Sequence, residues 1–191
     1  MKTKQLDFNS LAQTQKAFKD FKKRTEHGHE IRTGQRKLSR PLDLSKALHL
    51  ILRSEIAKGG WSFLKPKNKE KINDLINYNA EKCNIKVYRY ANVGNHIHLL
   101  IKAQSKRGFQ KFLRTITALI PRVVTGAKKG KPLGKKFWDG LAYSKIVTFG
   151  RHFKNTSNYV FRNALEAFGV IPPRKEARGH IKIDFISLFD G

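Results

Sequence analysis

The 191-residue chain has the length of one ordinary domain, and 39% hydrophobic residues suffice for a core of its own. Forty lysines and arginines against 14 acidic residues give a net charge of +26, which favours a polyanion and above all nucleic acid. A membrane surface fits less well, because no apolar run approaches ~18 residues. The N-terminus lacks the apolar core of a signal peptide and the single Cys83 cannot form an internal disulfide, so we expect a cytoplasmic, nucleoid-associated protein.

The first 45 residues contain 11 basic and five acidic residues. Apolar residues between Leu11 and Phe21 are compatible with a short helix, and the rest predicts an irregular basic arm with little to bury. Two interpretations stay open, a solvated tail and an arm that lies along a phosphate backbone. We therefore expect an arm over residues 1–45, one catalytic domain over residues 46–171 and a tail over residues 172–191.

Hydrophobic periodicity predicts the elements of the central region. Leu48–Arg53 is apolar on both faces, which is typical of a central strand. Asn68–Cys83 carries an apolar stripe at helical spacing, and Cys83 falls on that stripe. Ile85–Ala91 alternates as a strand, and the turn residues Asn92–Asn95 connect it to a partner strand that continues to Ile101.

The second half of the chain repeats this alternation. A helix is predicted after Ser105, kinked or ended by Pro121, and a basic loop over Lys128–Lys136 follows it. Predicted last are a strand over Tyr143–Phe149, a helix over Asn155–Phe168 and a short strand over His180–Phe189 whose position is not assigned. The element order predicts an α+β fold, a ferredoxin-like or RRM-like antiparallel sheet backed by helices, with an added C-terminal helix.

Two histidines stand out in the predicted strand after the turn. His96 and His98 are two residues apart, so both side chains point to one face of the sheet. A half-buried strand with exposed histidines is the commoner explanation of this spacing alone. The interpretation changes because Tyr159 and Asn163, four residues apart, share one face of the last helix.

Basic residues bracket the histidine strand. No acidic residue occurs between Glu81 and Asp139, whereas 14 lysines and arginines do. A solvated face usually mixes both signs, so we interpret this one as a surface for nucleic acid. Candidate DNA contacts are Lys106, Arg107, Lys128, Lys129, Lys131, Lys135 and Lys136, and the ring of Trp138 is a candidate for stacking on an unpaired base.

These residue types suit phosphoryl transfer. Two imidazoles and the amide oxygen of Asn163 would bind a divalent cation, which polarises a phosphate. The phenol of Tyr159 would then attack the phosphorus, since a nearby metal offsets its usual pKa of about 10. The resulting phosphodiester retains the energy of the broken bond, and no Gly-rich nucleotide loop of Walker type is present.

The chain resembles the single-tyrosine transposases of the HUH class, such as those of IS200 and IS605 elements and the REP-associated tyrosine transposases. His96-Ile97-His98 resembles their histidine, hydrophobic, histidine motif, and Tyr159 and Asn163 resemble the nucleophile and the polar residue that completes the metal site. The resemblance runs from about His49 to Gly169 and includes Arg53 as a DNA-binding candidate. It implies an RRM-like palm, a Mg²⁺ or Mn²⁺ ion, single-stranded DNA with a hairpin and a 5′-phosphotyrosine intermediate, in a monomer or homodimer.

Other interpretations remain open at this point. A non-catalytic RRM-like protein would bind single-stranded RNA through the same basic sheet and need no metal, and a ribosome-associated or nucleoid structural protein would need only the charge. The other histidines match no ligand position. We interpret His49 as structural and His152, just before the last helix, as a candidate to support the metal ligands.

Overall fold

The computed structural model describes residues 14–17, 20–21, 25–28, 39–128 and 130–173. The predicted strand over His180–Phe189 and the basic residue Lys129 lie outside the described residues. Residues 14–17 and 20–21 are helical, in keeping with the short helix predicted there.

The described residues form five strands and three long helices. The strands are β1 (Glu26–His27), β2 (Ala47–Arg53), β3 (Ile85–Asn92), β4 (His96–Ala103) and β5 (Tyr143–Val147), and the helices are α1 (Pro66–Lys82), α2 (Lys106–Thr125) and α3 (Arg151–Ala167). A short 3₁₀ helix, Gly59–Trp61, precedes α1. From β2 onward this is the predicted order of strand, helix, strand, strand, helix, strand and helix.

All five strands form one antiparallel sheet in the order β1-β5-β2-β4-β3. Without β1, this is the arrangement of a βαββαβ unit, in which the first and third strands are central. The predicted α+β, ferredoxin-like fold is therefore confirmed. The histidine strand β4 lies in the middle of the sheet, between β2 and β3, where its backbone is hydrogen-bonded on both sides.

The two faces of the sheet have different coverings. Alternate residues of β2 and β4, such as Leu50 and Leu99, face the main core with α1 and α2, to which Ile76 and Phe112 contribute. The other face carries a smaller cluster of Ala47, Leu100 and Val147. Tyr88 of β3 and Phe153 of α3 pack against this cluster. Because His96 and His98 alternate with the core residues of β4, they point to the face that α3 covers.

The turn before His96 is fixed by its side chains. Asn92 accepts a hydrogen bond from the backbone N–H of Gly94 (3.1 Å) and donates one to the carbonyl of Phe63 (2.7 Å). Gly94 has φ of +93°, a left-handed conformation that side chains other than glycine rarely adopt. The Val93 N–H then donates to the carbonyl of His96 (2.9 Å), so the first histidine starts a defined strand.

Some predicted element boundaries were wrong. Helix α3 begins at Arg151 rather than Asn155, so His152 lies inside its first turn. Pro121 lies close to the last turn of α2, as predicted, and the helix continues to Thr125, where Gly126 in a left-handed conformation ends it. Strand β5 ends at Val147 rather than Phe149.

Two residues of the predicted N-terminal arm belong to the sheet. Glu26 and His27 pair with Lys145 and Ser144 and extend the sheet as β1. Glu26 is buried, and its ion pair with Lys145 (3.0 Å) offsets the cost of burying its charge. These two residues of the predicted arm therefore pack with the sheet, and the domain division at residue 45 stays a prediction.

Candidate functional site

The sheet register places the candidate residues in neighbouring rows on the face under α3. Arg53 of β2 is directly opposite His96, and Ile51 lies between His98 on one side and Tyr143 on the other. His49 follows on the same face of β2, two residues before Ile51. Three histidines, an arginine and a tyrosine from three strands therefore converge on one surface.

His98 contacts the other two imidazoles. The rings of His49 and His98 are stacked, with centroids 5.4 Å apart, and His49 Nε2 lies 3.2 Å from His98 Nδ1. His96 meets His98 edge to face at 4.8 Å, and its Nδ1 lies 2.7 Å from Asn95 Oδ1. His49 and His98 are buried, whereas His96 is half-buried.

Burial keeps these imidazoles neutral. Loss of hydration lowers the pKa of His98 to about 3, and the neighbouring His49 and His96 add to the effect. Burial and then the charge of Lys145 lower the pKa of His49 to about 4. Burial and then the charge of Arg53 also lower the pKa of His96. Neutral imidazole is the form that binds a metal, so the site is set for ligation at neutral pH.

Hydrogen bonding specifies which ring nitrogens can bind a metal. An amide oxygen only accepts, so His96 Nδ1 carries the proton and Nε2 keeps its lone pair. If His98 Nδ1 donates to His49 Nε2, the Nε2 of His98 keeps its lone pair in the same way. Both candidate ligands would then present Nε2.

The donor set fits a divalent cation. The Nε2 atom of His98 is buried, and within the described part of the chain it has no hydrogen-bond partner, as expected of an atom reserved for a ligand. No group of three or more His, Cys, Asp or Glu side chains among the described residues is arranged to hold a metal. A cation bound by His96 and His98 would therefore need a further donor, such as a neutral oxygen.

Tyr159 lies against this histidine cluster. Its ring meets His98 edge to face at 5.6 Å and His49 at 5.9 Å, and its side chain is half-buried. Helix α3 belongs to the same chain as β4, so one chain brings the predicted nucleophile and the predicted ligands together.

Asn163, one turn after Tyr159, is half-buried and folds back on its own helix. Its Nδ2 donates to the carbonyl oxygen of Tyr159 at 2.7 Å, a bond that uses the amide nitrogen and not the oxygen. The bond fixes the amide relative to the backbone of the preceding helical turn. Metal ligation by Asn163 stays a prediction.

Tyr143 is a second tyrosine on this surface. Burial raises the pKa of its hydroxyl, and so do the charge of Glu26, with which it shares a hydrogen bond, and the nearby Tyr159. A raised pKa makes a phenol a poorer nucleophile at neutral pH. Tyr143 is therefore less suited to attack, although it lies near Tyr159.

Arg53 lies beside the metal-site candidates but already has partners. Its guanidinium forms ion pairs with Glu55 (2.9 Å) and Asp139 (3.3 Å) and is about half exposed. Such exposed pairs contribute little to stability, so a phosphate can compete for the arginine. Of the predicted DNA contacts, it is the one directly opposite a candidate ligand in the sheet.

Lys106 and Arg107 lie elsewhere. They begin α2, which follows the far end of β4, about 23 Å along the strand from His96. Both side chains are exposed, and α2 packs on the opposite face of the sheet. These two residues therefore belong to a different surface from the histidine cluster.

The basic loop is a separate feature. Lys128 and Lys131 are exposed and close a tight turn through two backbone hydrogen bonds of 3.0 and 3.1 Å. Lys135 is exposed and lies 5.3 Å from the ring of Trp61. Lys136, also exposed, donates to the carbonyl of Asp139 (3.2 Å). Their contacts with DNA stay predictions.

Trp138 packs on the main core. Its Nε1 donates to the carbonyl of Thr117 at 2.8 Å, and its ring lies 5.0 Å from Phe137 and 6.1 Å from Phe63. The side chain is half-buried. These contacts assign Trp138 a packing role, and its stacking on a base stays a prediction without support from this packing.

Two residues at the site escaped the sequence analysis. His49 was interpreted as structural, although its even spacing from Arg53 on β2 places both on one strand face. Glu26 lies in the predicted arm, and no local sequence pattern indicates that it pairs with a strand more than a hundred residues later. His152, by contrast, bonds to Thr148 through its Nδ1 (3.2 Å to the hydroxyl) rather than to the histidine cluster.

Within the described residues, none of the helices is both long and apolar enough to cross a bilayer. Residues 47–163 match the family model described as Transposase IS200 like, whereas no curated protein sequence matches the chain. The match begins at the first residue of β2 and ends at Asn163, so it contains both histidines of the strand pair and Tyr159. It covers more than half of the chain, which therefore belongs to the IS200-like transposase family.

Proposed function

We propose that this IS200-like transposase cleaves and rejoins single-stranded DNA through a covalent bond to Tyr159, at a divalent-cation site formed by His96 and His98 with Asn163. The observation that carries the proposal is the edge-to-face contact of Tyr159 with His98 at 5.6 Å. A cation bound by His96 and His98 would lie close enough to this phenol to activate it as a nucleophile. The family match independently supports DNA as the substrate.

The proposed cleavage exchanges one phosphodiester for another. The Tyr159 oxygen bonds to phosphorus while the bond from phosphorus to the 3′ oxygen breaks. The phenol loses its proton, and the departing 3′ oxygen gains one to become a free hydroxyl. The 5′ phosphate stays on the tyrosine, and a 3′ hydroxyl from another strand reverses the step. No nucleotide is consumed, because bond energy is retained throughout.

Residues of the chain prepare this exchange. His96 and His98 would hold the cation through Nε2, and His49 would keep His98 in the required tautomer. Arg53, beside His96, would contact a non-bridging phosphate oxygen. A Mg²⁺ or Mn²⁺ ion would withdraw charge from the phosphate and the leaving oxygen, and histidine ligation favours Mn²⁺.

The substrate would be single-stranded DNA that carries a hairpin. The chain has a net charge of +26, which attracts the phosphate backbone and makes binding sensitive to salt. Unpaired DNA leaves the scissile phosphate free to approach Tyr159 and the histidine cluster. The hairpin would position that phosphate, as the resemblance to REP-associated transposases implies.

The test is a covalent adduct assay. The protein is incubated with hairpin-bearing single-stranded DNA labelled on the 3′ side of the cleavage site and with Mn²⁺, and the products are separated on a denaturing gel. We expect a labelled protein band with the wild type and none with Tyr159→Phe, which removes one oxygen and little packing. Tyr143→Phe is the matched control and should retain the band.

Two results would contradict the proposal. An adduct with Tyr159→Phe that disappears in Tyr143→Phe would move the nucleophile to the other tyrosine. Tight DNA binding by the wild type without any adduct in Mn²⁺ or Mg²⁺ would favour the non-catalytic alternative. Circular dichroism of each variant should match the wild type, so that lost activity is not lost folding.

A further inference from the structure

An aromatic and basic surface lies on the same sheet face as the histidines, at the N-terminal end of α3. We call it the aromatic–lysine platform and define it as Lys86, Tyr88, Lys102, Phe149 and Phe153. The three rings form a connected cluster: Phe153 lies 5.0 Å from Tyr88 and 5.2 Å from Phe149, and Tyr88 lies 6.3 Å from Phe149. The platform shares no residue with the histidine cluster or with Tyr159.

Phe149 is the exposed member of the cluster. Its side chain is 48% exposed, whereas Tyr88 and Phe153 are half-buried and pack against Leu100 and its neighbours. Packing against Tyr88 and Phe153 therefore covers only about half of this side chain. The ring leaves part of its surface open to solvent, where it can contact another flat ring.

The rings are framed by cations. The ammonium of Lys86 lies 5.2 Å from the Tyr88 ring, and that of Lys102 lies 5.5 Å from the Phe149 ring. Arg151, the first residue of α3, is an exposed third cation, close to Phe149 in the sequence. Among the described residues, none of these three cations forms an ion pair with a carboxylate. An uncompensated positive charge beside an open aromatic face complements an unpaired nucleotide, which has both a base and a phosphate.

The platform lies on the line that leads to the proposed nucleophile. Lys102 follows His98 by four residues on β4, about 13 Å along the strand. Tyr159 follows Arg151 by eight residues on α3, about 12 Å along the helix. A strand whose phosphate reaches Tyr159 can therefore continue along α3 to Phe149.

We propose that the aromatic–lysine platform binds the single-stranded DNA that flanks the cleaved phosphate, with one unpaired base stacked on Phe149 and adjacent phosphates on Lys102 and Lys86. The inference rests on the proposed function and adds a second point of contact to it. This contact is tolerant of sequence, because every base has a face on which to stack. It would hold the flanking strand while the phosphate is exchanged at Tyr159.

The experiment measures binding in the Tyr159→Phe background, so that no covalent product forms. Fluorescence anisotropy follows a labelled hairpin oligonucleotide with single-stranded flanks on both sides, and the same hairpin without flanks. Phe149→Ala should weaken binding of the flanked hairpin at least about fivefold, the lower end of what one stacked base contributes. Binding of the bare hairpin should not change.

Matched variants separate stacking from other effects. Phe149→Leu keeps an apolar side chain against Phe153 but has no aromatic face, so it should bind as weakly as the alanine variant. Phe149→Trp should bind at least as tightly as the wild type. Tyr78→Ala is the control, since Tyr78 is 61% exposed and lies 5.3 Å from a lysine ammonium but belongs to α1, on the other side of the sheet.

Each outcome decides the inference. Wild-type affinity of Phe149→Leu for the flanked hairpin overturns it, as does an equal loss with Tyr78→Ala. An equal loss on the bare hairpin also overturns it, because the platform would then serve the duplex or the fold. If wild type forms no adduct with Tyr159, the proposed function fails instead, a result that this binding assay does not depend on.

Discussion

The contact between His49 and His98 leads to a quantitative prediction about metal binding. Replacing His49 with Phe keeps a ring against His98 and Tyr159 but removes the nitrogen that lies 3.2 Å from His98 Nδ1. A proton on Nδ1 would then be buried without an acceptor, which costs about 1–3 kcal/mol. Without the His49 nitrogen as acceptor, the Nδ1–H form of His98 loses its advantage, and a proton on Nε2 would block the atom needed by the metal.

The expected loss of metal affinity follows from this cost. Mutation of a residue that orients a metal ligand typically weakens binding by about 10–100-fold, and a tenfold change is worth about 1.4 kcal/mol. The two ranges agree, so we expect Mn²⁺ to bind His49→Phe about 10–100-fold more weakly than the wild type. His49→Gln should recover most of the affinity, because its amide oxygen can accept the same hydrogen bond.

Two measurements check this reasoning without relying on catalysis. Isothermal titration calorimetry reports the affinity for Mn²⁺, and ¹⁵N chemical shifts of the imidazole nitrogens report the tautomer of His98 in the metal-free protein. His98 should be protonated at Nδ1 in the wild type and in His49→Gln, whereas the fraction protonated at Nδ1 should be smaller in His49→Phe. Unchanged Mn²⁺ affinity in a folded His49→Phe protein would refute the assignment, as would a wild-type His98 protonated at Nε2.

Further predictions concern other parts of the site and its charge. Asn163→Ala should fold normally, slow adduct formation and raise the Mn²⁺ concentration needed for half-maximal adduct, as a titration on denaturing gels would reveal; an unchanged requirement would exclude Asn163 as a ligand. Replacing Lys128 and Lys131 together with Ala should lower the log–log salt slope of single-stranded DNA binding by about 1.4 if each residue contacts one phosphate, and an identical slope would mean that the loop is only solvated. The free energy of unfolding should fall as the pH drops from about 6.5 to about 4, by about 1.4 kcal/mol per pH unit for each of His49 and His98. The reason is that these histidines bind protons in the unfolded chain over this range but stay neutral in the folded protein, where burial lowers the pKa of each. Urea unfolding of wild type and His49→Gln at several pH values tests this point, since the variant should show the shallower pH dependence.

Local patterns in the sequence carried much of the fold. Hydrophobic residues repeat with a period of two in β3 and with a helical period in α2, and both elements form where the pattern predicts them. Element ends were less predictable. Helix α3 begins four residues before the predicted Asn155, and β5 ends two residues before the predicted Phe149.

Local spacing also identified the pairs within the candidate site. His96 and His98 share a strand face, and Tyr159 and Asn163 share a helix face, whatever the rest of the chain does. The approach of these two pairs was only inferred from the resemblance. In the structure it results from α3 packing across β3 and β4 on the face opposite α1 and α2.

By itself, the sequence determined the periodicities of the main strands and helices, the histidine pair, the tyrosine with its amide one turn later, and the excess of positive charge. These depend on residues a few positions apart, whose relative directions are set by backbone geometry. Only the tertiary structure decided that His49 contacts His98, that Glu26 joins the sheet beside Tyr143, and that Trp138 packs on the core. Such contacts join residues distant in sequence, because sheet register and side-chain packing are settled by the whole fold and leave no local pattern to read.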